Sequence, residues 1–137
     1  MDDAGFLPYG TAMNDSALSA LRNQLLSLHK LLMNAERAGH EQEGNVIGSP
    51  MQFLQLLTEH ERFVWLRQLS QLVVKMDEAM EEKPPITKER ADALVGEARH
   101  LLTGSEEPGS FAVRYAKVRE GEAAVAAAHA QISKSFE

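Results

Sequence analysis

Ser49–Lys83 reads SPMQFLQLLTEHERFVWLRQLSQLVVKMDEAMEEK, and its spacing sets the fold class of the whole chain. It opens on Ser-Pro, a capping hydroxyl followed by a residue whose φ suits the first helical turn. Further on, beside Trp65, the only tryptophan, runs an apolar ladder of Leu66, Leu69, Val73, Met76 and Met80. Steps of three and four put these rungs on one side of a helix. A helix so apolar along one side has to be buried against partner helices. The expectation is an all-α protein, an up-and-down bundle of four main helices with this one second in order. Thr58-Glu59-His60-Glu61-Arg62 puts polar residues on every face, so this helix is expected to bend or break near residues 58–62. Phe53, Leu54, Leu56 and Leu57 would then pack separately from Phe63 onward.

The flanking chain supplies the other helices. Leu18, Leu21, Leu25, Leu28, Leu32 and Ala35 alternate by three and four, a bundle seam. Asn14 or Asp15 is the expected cap and Gly44 the expected end. Val46 and Ile47, in the connection that follows, are expected to cover one end of the core. Pro84-Pro85 stops the second helix. Thr87 caps a third helix with a stripe of Ala91, Leu94, Val95, Ala98, Leu101 and Leu102, closed by Gly104. Ser110 caps a last helical region carrying Phe111, Tyr115, Val118, Val125, Ile132 and Phe136, with Gly121 as a point of division. Residues 1–13 mix Gly, Pro and Asp without period and read as a tail or strap, pinned by Phe6, Leu7 and Tyr9. Residues 14–137 read as one domain.

Composition bounds the function. The chain has 137 residues, 25% of them charged, and a formal net charge of −6. That length buries about two-thirds of the unfolded surface around one core. With no run of Lys or Arg, a phosphate-tracking surface has little to be built from, so no nucleic-acid partner is expected. No apolar stretch approaches membrane-span or signal-peptide length, so neither a membrane partner nor export is expected. Cysteine is absent, which excludes disulfides and thiolate metal sites and fits a reducing, cytoplasmic setting.

Glu36-Arg37, Gly48-Ser49-Pro50, Phe63-x-Trp65-Leu66-Arg67-x-Leu69-Ser70 and Asp77-Glu78 together resemble a family of small bacterial all-helical proteins. The resemblance runs from about residue 18 to the C-terminus. It implies a helical fold, a bacterial source and a cytoplasmic location. In the family's pattern prolines stand where this chain has Glu61 and Gln68, which implies a chain break near 60–62 and a kink near 68. No activity, cofactor or catalytic residue comes with it.

Three groups of residues have chemistry to offer. On the first helix His29, Glu36, His40 and Glu43 are spaced by seven, four and three, so they share an arc flanking the leucine seam. Imidazole and carboxylate ligands so arranged suit a divalent metal if a second helix supplies the rest, from Glu59 and His60, Asp77 and Glu81, or Glu97 and His100. The plainer reading is a solvated flank with weak i,i+4 pairs, each worth about 0.2–0.5 kcal/mol. His129 falls between Val125, Ile132 and Phe136 and reads as a core-edge histidine with a bonded ring nitrogen, or else as a cofactor ligand. Arg67, beside Trp65 and Leu66, calls for a carboxylate if buried; Glu36 and Asp77 are the candidates, giving an internal clamp or an interaction site. Against nucleophilic catalysis, no Gly-x-Ser-x-Gly elbow and no P-loop occurs. No cofactor is predicted. The expected function is a non-enzymatic interaction or regulatory module, pairing as a homodimer or with another protein, because Met33, Met51, Phe53, Val64 and Met80 exceed what one small core covers. The alternative is a metal- or cofactor-binding bundle.

Overall fold

The computed structural model describes residues 6–82 and 85–137, with side chains from Ser16 onward. These residues are all-α, with no strand among them. The elements are α1 (Phe6–Gln42), α2 (Pro50–Glu59), α3 (Glu61–Val64), α4 (Arg67–Glu81), α5 (Lys88–Thr103), α6 (Phe111–Gly121) and α7 (Ala123–Ser133), followed by a 3₁₀ turn at Lys134–Phe136. The four-helix expectation is corrected: among the described residues there are six helices of ten residues or more, plus the single turn α3. The surplus comes from interruption. The segment after Pro50 is cut into α2, α3 and α4, and the last region is cut at Glu122, which is extended (φ −132°, ψ 106°).

Three of the predicted caps form. Ser49 Oγ accepts from the Gln52 N–H at 3.1 Å, Thr87 Oγ1 from Arg90 at 3.1 Å and Ser110 Oγ from Val113 at 3.2 Å. Each answers a first-turn N–H that has no helical acceptor. Gly44 follows the end of α1 at φ +94°, a conformation an L side chain rarely adopts.

The expected break near 58–62 falls at His60 (φ −85°, ψ 130°), which is at once the C-cap of α2 and the N-cap of α3. A second discontinuity lies at Trp65–Leu66, where both residues stay right-handed helical and the chain is re-aimed without leaving that region. The kink implied near 68 is therefore found slightly earlier. Glu61 opens α3 and Gln68 lies in the first turn of α4. These are positions where a proline's missing N–H costs no helical bond.

α1 is the hub, packing against α3, α4, α5 and α7. Its Leu18, Leu21, Leu25, Leu28 and Leu32 are fully buried, each worth about 1.5–3 kcal/mol of transfer free energy. They meet Leu66, Leu69, Val73 and Met76 of the second segment, Leu94, Ala98 and Leu102 of α5, Tyr115 of α6, and Val125 and Ile132 of α7 in one core. α1 begins at Phe6 rather than at Asn14 or Asp15; Pro8 lies in its first turn, where proline is tolerated. Residues 1–5, Lys83 and Pro84 lie outside the described residues, as do the side chains of Phe6, Leu7 and Tyr9. No described helix is long and apolar enough to cross a membrane.

Candidate functional site

The polar side chains gather where the end of α1 meets the broken second segment. Glu36 is the centre. Its carboxylate accepts from Trp65 Nε1 at 2.8 Å and from Arg62 Nη1 at 3.3 Å, and Arg114 Nη2 of α6 lies 3.7 Å away. The Glu36 side chain is 12% exposed, so its charge is largely withdrawn from water and answered by two guanidinium groups. Arg62 also bonds the Glu43 carboxylate. It lies against α1 at Gly39: a Cβ there would meet Arg62 Nη1 and oblige this guanidinium to shift. Trp65 Nε1 is shared with the Arg62 carbonyl at 2.8 Å. Its ring lies under the Arg114 guanidinium, 5.3 Å from the ring centre, and packs on Phe111 at 4.8 Å.

On the other side of the same junction is a chain of rings. His40 and His60 meet edge-on, their centres 5.0 Å apart. His40 also meets Phe63 at 5.8 Å, Phe63 meets Phe53 at 5.7 Å, and the Arg37 guanidinium sits 4.6 Å over Phe53. His60 Nδ1 accepts the Arg62 N–H at 3.1 Å. A backbone N–H only donates, so Nδ1 carries no proton and the neutral ring keeps its hydrogen on Nε2. His40 is 7% exposed. Both histidines border a cavity of about 610 Å³ with Gln52, Gln55 and Glu59 of α2 and Asn45 and Val46 of the preceding connection.

The expected residues divide as follows. Glu36 and Glu43 meet at Arg62, and His40 joins the ring chain; His29 lies half-buried farther back on α1. Among the described residues no three His, Asp or Glu side chains converge as a metal-binding group. The four-residue stripe is therefore divided, with Glu36 and Glu43 in an ion cluster, His40 in an aromatic cluster and His29 in neither. Burial pushes the His29 pKa below the ordinary imidazole value.

His129 fits the core-edge reading, with both nitrogens engaged: Nδ1 with the Tyr115 hydroxyl at 2.8 Å and Nε2 with Arg119 at 3.1 Å. Arginine only donates, so Nε2 accepts and Nδ1–H donates to the phenol oxygen. Burial, and then the Arg119 charge, lower the His129 pKa. Burial drives the Tyr115 phenol up to about 12.

The clamp is real in its acids and corrected in its arginine. Arg67 is exposed and donates to the Thr58 carbonyl at 2.9 Å. Glu36 takes Arg62 instead, and Asp77 takes Arg22 through two bonds of 2.8 and 3.0 Å. Trp65, expected in the core, is buried there. Arg62, Arg114, Arg22 and Arg119 escaped sequence reasoning. Arg62 stood in the polar run that marked the break, and that run was its only signal.

Comparison with family models, with curated proteins and with solved structures finds no match to this chain.

Proposed function

We propose that this chain is a non-enzymatic interaction module that pairs with a second copy of itself through α2. The observation that carries the reading is that α2, Pro50–Glu59, has no buried residue although six of its ten residues are apolar or proline. Met51 is 63% and Leu54 53% exposed, and Val46, just before the helix, is 89% exposed. Met33 and Met80 pack against the core and Phe53 and Val64 are half-buried; Leu26, Val74 and Val113 are exposed singly on other helices, and Val46, Met51 and Leu54 are the exposed apolar residues that fall close together in the chain. α2 is held through Phe53, in its first half, against Phe63 and Arg37.

Charge favours a second copy as the occupant. Gly44–Thr58 is the longest stretch of this chain without a charged residue, in a protein of net charge −6. A two-fold contact sets the same surface against itself, so a charge near the axis faces its like. The α2 face is where two acidic copies meet without that penalty, and methionine adapts to such packing.

Sedimentation velocity from low to high micromolar protein tests this. The parent chain should pass from monomer to dimer, and Leu54→Glu should stay monomeric with its far-ultraviolet circular dichroism unchanged. A parent that is monomeric throughout, or a dimer indifferent to both Leu54→Glu and Met51→Glu, overturns the reading.

A further inference from the structure

We infer that His60 is a protonation-sensitive joint that sets how α2 is carried on the bundle. α2 joins the rest of the second segment through this one extended residue. The α3 N-cap there is an imidazole lone pair, Nδ1 accepting from Arg62 N–H. An aspartate or serine cap would hold across mildly acidic pH. An imidazole cap exists only while Nδ1 is unprotonated, and histidine is the side chain that changes charge between pH 5 and 8. Once protonated, Nδ1 becomes a donor aimed at a donor, and a cation stands at the start of α3.

The charged and titratable groups around His60 come from four elements. From α1, Glu36, His40 and Glu43 face His60; from α2, Glu59; from α3, Glu61 and Arg62; from α6, Arg114 and Lys117. Glu36 and Glu43 are engaged by Arg62, which leaves Glu59 and Glu61, its neighbours in the chain, to face the imidazolium. The consequence reaches Arg62 first, because the lost bond is to its own N–H. Its carbonyl holds the Trp65 indole and its guanidinium holds Glu36. Proton uptake at His60 therefore loosens α3 and re-aims α2 while the leucine core stays closed. Only the effect on pairing rests on the self-association proposed above; the joint itself does not.

Trp65 is the only tryptophan, so its emission reports the joint directly. The experiment follows that emission from pH 8 to pH 5 in a Leu54→Glu background, which holds the protein monomeric and separates this test from the pairing test. The parent joint should show a titration step. His60→Asn should lose it and keep the neutral-pH spectrum throughout, since asparagine caps without titrating. His60→Ala should give a displaced spectrum at every pH. A step retained at full amplitude in His60→Asn assigns the titration to another group, and no step in the parent removes it; either overturns the inference. If the Leu54→Glu background does not fold, Met51→Glu replaces it.

Discussion

Glu36 gathers the Trp65 indole, Arg62 and Arg114 on one carboxylate. Glu36→Ala leaves two guanidinium groups short of a counter-charge at a mostly buried point and should cost about 2–4 kcal/mol. Glu36→Gln keeps an acceptor for the indole N–H and should cost about half of that. Urea unfolding of the two variants measures both, and equal losses would show that the charge contributes nothing. The acids of this network were legible in the sequence, and so was the burial of Trp65. Their partners were not, because helical spacing tells which face a residue occupies and carries no information about a residue 26 or 55 positions away. Arg67 misled through its neighbours: two positions along a helix turn a side chain about 200°, so burial at Trp65 points Arg67 outward. At His129 the apolar flanks showed a core-edge residue, while Arg119 and Tyr115, on a different helix, gave no signal of their own.

At the scale of elements, the break at His60 was written in five polar residues that fit no helical face. The turn at Trp65–Leu66 was not, since both residues keep helical dihedrals and the apolar ladder runs on through them. The early start of α1 was also hidden, because Asn14 and Asp15 look like caps whether or not the helix continues ahead of them. α5 offers a test of local propensity against packing. Gly96 lies inside this helix, and a Cβ there meets nothing within 4 Å. Gly96→Ala should therefore stabilise the protein by about 0.5–1 kcal/mol through helix propensity and a less free unfolded chain. A thermal midpoint read by circular dichroism should rise; a fall would show that α5 needs the glycine at this position.

For the molecule as a whole, two histidines on different helices make stability depend on pH in one direction. His29 and His129 both have folded-state pKa values below the ordinary value near 6.5, burial being the larger cause in each. The unfolded chain therefore binds more protons than the folded one once pH drops below that value. Their contribution is fully present above about pH 6.5 and is lost as pH falls through the lowered folded values. The urea midpoint should drop between pH 7 and pH 5, and a His29→Gln, His129→Gln double variant should drop less; an equal drop would assign the effect elsewhere. The all-helical class followed from periodicity alone, yet periodicity singled out the wrong organising element. The segment after Ser49 carries the tryptophan and an apolar ladder, whereas α1 is the helix that α3, α4, α5 and α7 pack against. That difference has a consequence for synthesis. The leucine seam of α1 is made before α3, α4, α5 and α7, and α7 is the last of these partners to follow it. On the ribosome, the part of that seam which α7 covers stays open until α7 has emerged, leaving apolar surface for a chaperone to shield in the meantime.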